Sequence, residues 1–142
     1  MIDKTQLRTL IPHAGSMCLL DSIDSWTAQQ IRCTTLTHRN PANPLRHKSQ
    51  LAALHLAEYG AQAMALHGAL LAQSGPQAGM LGVLRDIRLQ VARIDDIDDS
   101  LLVDATRRLA RVDGLIYDFS VRTGSANRML CEGRITVALT AT

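Results

Sequence analysis

The residues best suited to chemistry are a carboxylate and an imidazole in unusual settings. Glu58 is the only acidic residue in the apolar stretch "LAEYGAQAMALHGALLAQ", where a dry, charged carboxylate would be costly without partners or water. Gln62 follows at i+4, so its amide can hydrogen-bond that carboxylate or a bound group. His13 lies between a proline and a glycine turn in "LIPHAGSMCLLDSI". Glu58 is a candidate acid and His13 a candidate base. Taken singly, Glu58 could equally point to solvent, and His13 could be a surface residue.

Four other histidines are also open to an imidazole role: His38, His47, His55 and His67. His55 and Glu58, at i and i+3, can share one helix face in the way that metal ligands do. The sequence supplies no convincing further ligands beside them, so we predict no metal.

Composition favours an ordinary globular protein, and we expect residues 1–142 to form a single domain. The net charge of +2 is too small to indicate a nucleic-acid partner. The start "MIDKTQLRTL" has no apolar core of a signal peptide, and no apolar stretch is long enough to span a membrane. We therefore expect a cytoplasmic location. The three cysteines read as buried free thiols in a reducing compartment.

Periodicity predicts the elements that must position these residues. A short helix capped by Asp3 comes first, followed by a strand hairpin and a proline-rich loop. Ser49 can cap a long helix that is apolar nearly all round, and alternating strands separated by turns follow it. The predicted strands are residues 17–26, 31–37, 83–91, 101–112, 115–122 and 129–137, and the predicted long helix is 50–73.

This order of elements predicts an α+β hot-dog fold, in which an antiparallel sheet curls around one central helix. One sheet face must be buried against the helix, and the helix needs cover on several sides. A single thin sheet leaves part of the helix uncovered, which favours at least a homodimer.

Two motifs resemble those of the β-hydroxyacyl-acyl-carrier-protein dehydratases. "PHAGSMCLLD" resembles the signature that opens this family, and "AEYGAQA" is similar to the start of its central helix. The later "GVLRDIRLQVARIDDID" resembles the family's strand and the acidic turn after it. The first motif looks most like the small stand-alone dehydratases of aryl polyene-type pathways. The matching positions are Pro12, His13, Leu20, Asp21, Glu58, Gln62 and Ala63.

The resemblance implies an elimination reaction that needs no cofactor. His13 would remove the C2 proton of a 3-hydroxyacyl thioester, and Glu58 would help the C3 hydroxyl to leave as water. The two residues would come from different subunits of a dimer. The substrate would be held on the phosphopantetheine arm of an acyl carrier protein, in fatty acid or polyene-type biosynthesis. Small residues would leave room for the acyl chain: Ala57, Ala61 and Ala65. The expected substrate-binding residues are Gly15, Ser16, Met17, Ala61 and Gln62.

One loop departs from the family pattern. The family usually has a glycine-containing "HFPGxPxxPG" loop before its helix, whereas this chain has "HRNPANPLRHKSQLA". The basic residues Arg39, Arg46 and Lys48 could receive an acidic carrier protein there, or could simply keep the loop solvated. A hot-dog thioesterase and a non-catalytic acyl-binding or assembly subunit are the alternative functions.

Overall fold

The structure, a computed structural model, describes residues 1–11, 17–72 and 80–139. The elements are α1 (Lys4–Leu10), β1 (Ser22–Trp26), β2 (Gln30–Thr35), α2 (Leu56–Ala72), β3 (Met80–Leu89), β4 (Leu101–Arg111), β5 (Gly114–Thr123) and β6 (Met129–Leu139), with 3-10 turns at Thr37–Arg39 and Ala53–His55. In these ranges the six strands form one antiparallel sheet in the order β1-β2-β4-β5-β6-β3, and the long helix α2 packs across β2, β4, β5 and β6. This arrangement confirms the predicted hot-dog architecture.

The first helix begins where the sequence predicted. Asp3 accepts from the Gln6 main-chain N–H at 2.9 Å, and the Gln6 side chain accepts from the Asp3 N–H at 3.1 Å. This reciprocal capping box satisfies two otherwise free donors. It directs Leu7 into the core, where this side chain is fully buried.

The predicted alternation in β5 is confirmed from Tyr117 onward, whereas Leu115, predicted on the same face, is only half-buried. Tyr117, Phe119 and Val121 are buried against the helix side of the sheet. Asp118 lies between them on the outer face, where it accepts a hydrogen bond from Arg134 at 2.7 Å. One sheet face therefore forms the core, and the other is polar.

The long helix approaches this sheet closely at a glycine. A Cβ on Gly60 would lie 2.5 Å from the Phe119 ring, so only glycine permits the observed packing there. His67, two turns further along this side, binds the Tyr117 hydroxyl at 2.5 Å and the Thr27 carbonyl at 2.7 Å. Burial lowers the pKa of His67 and raises the pKa of Tyr117 to about 12. His67 thus ties helix, sheet and the first hairpin together as a neutral side chain.

The predicted start of the long helix is wrong. Ser49 does not cap a helix, because it sits in a turn with φ of 65°. Leu51 donates its main-chain N–H to the Asp95 carboxylate at 2.9 Å, and Ala53 donates its own to the Ala92 carbonyl at 2.9 Å. These long-range pairings hold residues 51–53 against the segment after β3, and they delay α2 until Leu56. Gln73, the predicted last residue, lies outside the described ranges.

The first predicted strand is shorter than expected, since β1 begins only at Ser22. Asp21 still donates its main-chain N–H to the Thr34 carbonyl at 3.0 Å, but the main chain at Leu19 is held by side chains. Leu19 donates its N–H to Gln62 at 2.8 Å, and its carbonyl accepts from the hydroxyls of Thr35 at 2.5 Å and Thr37 at 2.6 Å.

The strand β3 lies at the edge of the sheet. The alternation of Val83, Ile87, Leu89 and Val91 predicts one buried face, but Val83 pairs with Thr136 on the outer face and is 50% exposed. A bulge at Asp86, where φ is 55°, interrupts its register with β6. Leu84 pairs with the buried Ile135 and so lies on the helix side, but it remains 48% exposed; Leu89 is 41% exposed. Within the described ranges no strand pairs with the outer edge of β3. A long apolar edge of this kind is a template for pairing with another chain.

All three cysteines, Cys18, Cys33 and Cys131, are buried and unpaired, as predicted. Burial raises the pKa of Cys33 to about 12 and that of Cys131 to about 11, so both thiols stay protonated near neutral pH. None of the helices within the described part of the chain is both long and apolar enough to cross a membrane.

Candidate active site

One stripe of α2 is left partly open by the chain's own sheet. Its members, Glu58, Ala61, Gln62, Ala65 and Gly68, are all half-buried and recur at the i+3, i+4 and i+7 spacing of one helix face. A Cβ on Gly68 would meet no atom of the described residues within 4 Å, so that part of the chain leaves the stripe open at this point. The stripe combines one carboxylate and one amide with small side chains, and it lies opposite the face that packs on the sheet.

Ala57 does not belong to this stripe. The sequence placed it beside Ala61 and Ala65 as a small residue that leaves room for an acyl chain. It is instead buried in the core, at 4% exposure. Only the other two alanines border the open space.

Glu58 stands in the first turn of α2, at the start of the stripe. Its Oε1 lies 3.3 Å from Nδ1 of His55, and its carboxylate has no other hydrogen-bond partner among the described residues. The Glu58 side chain is 46% exposed, so the described residues of the chain do not enclose it. The helix N-terminus favours a negative charge at this position.

Gln62 lies one turn after Glu58, but both the oxygen and the nitrogen of its amide hydrogen-bond to the main chain. Its Oε1 accepts from the Leu19 N–H at 2.8 Å, and its Nε2 donates to the Met17 carbonyl. The sequence led us to expect that Gln62 would contact Glu58 or a bound group. In the structure it fixes the segment that directly follows the "PHAGS" residues to the open stripe.

Three of the predicted site residues, His13, Gly15 and Ser16, lie outside the described ranges, as do Pro12 and Ala14. Met17 is the first described residue after them. It is half-buried and is held by Gln62, whereas Ala61 is half-buried on the open stripe.

The end of the first motif has a structural use. Leu20 is fully buried in the core. The Asp21 carboxylate accepts from the Leu36 main-chain N–H at 2.7 Å and pairs with Lys4 at 3.0 Å, and Lys4 also donates to the Cys18 carbonyl at 2.9 Å. These contacts hold the first motif in place between α1 and the end of β2.

The glycine-free loop before α2 is organised by a buried amide that sequence reasoning missed. Asn43 donates to the Thr37 carbonyl at 2.9 Å and to the Tyr59 hydroxyl at 3.2 Å, and it accepts from the Leu45 N–H at 2.9 Å. Burial, more than any other factor, raises the pKa of Tyr59. The available signal was an asparagine between two prolines, a setting that favours turns.

The three basic residues proposed for carrier docking differ in their freedom. Arg46 donates to the carbonyls of His38 at 2.9 Å and Ser49 at 3.0 Å. Arg39 donates to the Asp95 carbonyl at 3.0 Å. The Lys48 side chain is exposed and makes no hydrogen bond or ion pair with the described residues. Two of the three thus shape the loop itself.

Within residues 1–11, 17–72 and 80–139, no group of three or more potential ligands could hold a metal ion. Two surface depressions, of about 490 and 500 Å³, lie on the polar outer face of the sheet. Their linings do not include Glu58.

Comparisons with known proteins give a family and a set of related folds. The sequence profile of the ApeP-like family, described as ApeP dehydratase, matches residues 5–141. A search of curated protein sequences finds no match. The dehydratase heterocomplex ApeI:P from Xenorhabdus doucetiae superposes with a TM-score of 0.81 at 16% identity, covering 96% of this chain and 91% of that one.

Two further solved structures share the fold. A hypothetical thioesterase protein from Streptococcus pneumoniae TIGR4 has a TM-score of 0.62 at 15% identity, over 85% of this chain and 90% of that one. AziG from S. sahachiroi has a TM-score of 0.62 at 14% identity, over 93% of this chain and 96% of that one. At such identities the likeness concerns the hot-dog fold alone.

Proposed function

The chain belongs to the ApeP-like dehydratase family, and we propose that it removes water from 3-hydroxyacyl thioesters carried on an acyl carrier protein. The product would be a trans-2-enoyl thioester, in an aryl polyene-type pathway. The observation that carries this proposal is the open stripe of α2. It begins with a carboxylate, continues with alanine and glycine, and is bound through Gln62 to the segment that follows His13.

In the proposed reaction neutral His13 takes the C2 proton of the substrate, and Glu58 gives a proton to the departing C3 hydroxyl, which leaves as water. Charge builds on the thioester oxygen as the C2–H bond breaks, so main-chain amides near Gly15 or at the start of α2 are the expected donors to it. The acyl chain would lie along Ala61, Ala65 and Gly68, where small side chains leave space.

We also propose a homodimer in which the site is shared between subunits. The Glu58 side chain is nearly half exposed in a single chain, and the apolar edge of β3 is unpaired within the described ranges. A partner strand along β3 would cover Leu84 and Leu89 and would enclose the open stripe. The ApeI:P dehydratase is a heterocomplex, so a second, different hot-dog subunit is the alternative occupant of the same edge.

Turnover of a defined substrate tests the function. Purified protein is given a 3-hydroxyacyl-carrier-protein thioester, and the products are separated by mass spectrometry. We expect the enoyl thioester; a free acid would indicate the thioesterase alternative, and bound, unchanged substrate would indicate an acyl-binding subunit.

Two variants test the residue roles. We expect His13→Ala and Glu58→Gln each to lower kcat by at least about a hundredfold, because each removes one proton-transfer group. Matched controls are His47→Ala, in an exposed turn, and Glu132→Gln, which changes the only other glutamate of the chain. Full activity in either test variant would remove that residue from the mechanism.

A further inference from the structure

We infer that His55 is a positioning residue for Glu58: its imidazole holds the Glu58 carboxylate in one direction at the start of the open stripe. The contact is the 3.3 Å approach of His55 Nδ1 to Glu58 Oε1. The inference rests on the proposed function, in which Glu58 meets the C3 hydroxyl.

The imidazole is presented from an anchored segment. His55 ends the 3-10 turn Ala53–His55, and its main-chain N–H donates to the Ala52 carbonyl at 3.1 Å. The same turn is tied to the loop after β3 by the bond from the Ala53 N–H to the Ala92 carbonyl at 2.9 Å. The His55 ring therefore has a backbone position that is fixed at both ends of the turn.

Glu58 needs such a partner more than most glutamates. Its side chain is 46% exposed, and His55 is its only hydrogen-bond partner among the described residues, so no other hydrogen bond in that part of the chain selects one rotamer. A displacement of about 1 Å between reacting groups can cost on the order of a hundredfold in rate. Holding the carboxylate in place is therefore worth far more to turnover than to folding.

An imidazole can hold both protonation states of the carboxyl group. When Glu58 is ionised it only accepts, and the Nδ1–H tautomer of His55 donates to it; when Glu58 is protonated its O–H can donate to an unprotonated Nδ1. The contact can thus persist before and after Glu58 gives its proton to the leaving hydroxyl. An asparagine at this position offers the same pair of functions through its Nδ2 and Oδ1 atoms, without titrating.

The pair has little value as a stability device. The His55 side chain is 35% exposed and the Glu58 side chain 46% exposed. Exposed pairs of this kind add little to folding stability. His55 substitutions should therefore leave the unfolding midpoint in urea nearly unchanged, which separates a positioning role from a structural one.

Steady-state kinetics on the full chain test the inference. We expect His55→Ala to lower kcat about tenfold with KM nearly unchanged, and His55→Asn to recover most of that loss. His47→Ala is the matched control and should keep the kcat of the unsubstituted protein. An unchanged kcat in His55→Ala, or no recovery in His55→Asn with the fold intact, would overturn the inference.

A spectroscopic measurement keeps this test separate from the proposed function. The ¹⁵N shifts of the His55 ring report which nitrogen carries the proton, and we expect them to differ between the unsubstituted protein and Glu58→Ala. Identical shifts would show that the contact does not form and would refute the inference. If the protein turned over no 3-hydroxyacyl thioester, the proposed function would fall, while these shifts would still decide whether His55 holds Glu58.

Discussion

Replacing Gln62 should damage activity much more than stability. Gln62→Ala removes two hydrogen bonds, to the Leu19 N–H and the Met17 carbonyl, and leaves both main-chain groups short of a partner. With a net cost of about 1 kcal/mol for each such bond in a half-buried place, the free energy of unfolding should fall by roughly 2 kcal/mol. The free energy of unfolding of a domain of this size is on the order of 5 kcal/mol or more, so about 99% of the Gln62→Ala molecules should stay folded.

The activity loss has a different origin. The segment held by Gln62 begins at Met17, four residues after His13, so we expect its release to change where the proposed base sits relative to Glu58. A shift of about 1 Å is enough for a loss on the order of a hundredfold in kcat. The folded population and the rate should therefore separate clearly.

Two measurements on one preparation decide this prediction. Urea unfolding gives the change in stability, and turnover of a 3-hydroxyacyl-carrier-protein thioester gives kcat. Gln90→Ala, an exposed glutamine after β3, is the matched control and should change neither. If kcat of Gln62→Ala fell only in proportion to the unfolded fraction, the clamp would have no role in positioning the proposed base.

Two further predictions concern association and pH. Leu84→Arg places a charge on the apolar edge of β3 and should convert the proposed dimer to monomers, as measured by sedimentation velocity. The control Val112→Arg, at an exposed turn, should leave the dimer intact. A monomeric unsubstituted protein would contradict the shared site. Burial lowers the pKa of His67 in the folded state, so on acidification the unfolded chain takes up the proton first. The free energy of unfolding should therefore be greatest above about pH 6.5 and should fall below it by up to about 1.4 kcal/mol per pH unit. His67→Gln should flatten that slope in urea titrations between about pH 5 and 7, and His47→Gln should not; an equal slope in both variants would exclude His67 as its source.

Local patterns predicted those elements whose partners lie close by in the sequence or follow from periodicity. Asp3 caps α1 through residues of its own first turn, and the alternation at Tyr117, Phe119 and Val121 needs only a sheet with one buried face. The start of α2 was not predictable in this way. Ala53 and its neighbours have good helix propensity, but a pairing with residues some forty positions later overrides it.

The edge position of β3 shows a similar limit. Periodicity identified a strand there, but exposure depends on which neighbours the strand acquires in the sheet. Leu84 and Leu89 have the residue types of a buried strand and yet lie beyond the cover of α2. Apolar side chains at such an edge are consistent with a second subunit, which a single-chain pattern does not identify.

The candidate site was only partly predictable because its motifs contain both residues that line the site and residues that only support the fold. The spacing of Glu58 and Gln62 placed them on one helix face, and the structure confirms that placement. The partner of Gln62 was not foreseeable, since it is main chain more than forty residues earlier. In the first motif Leu20 and Asp21 serve the core and the anchoring of the chain. Gln62 binds the main chain just before these two residues. The first motif is therefore attached, through Met17 and Leu19, to the helix α2 that carries the second motif.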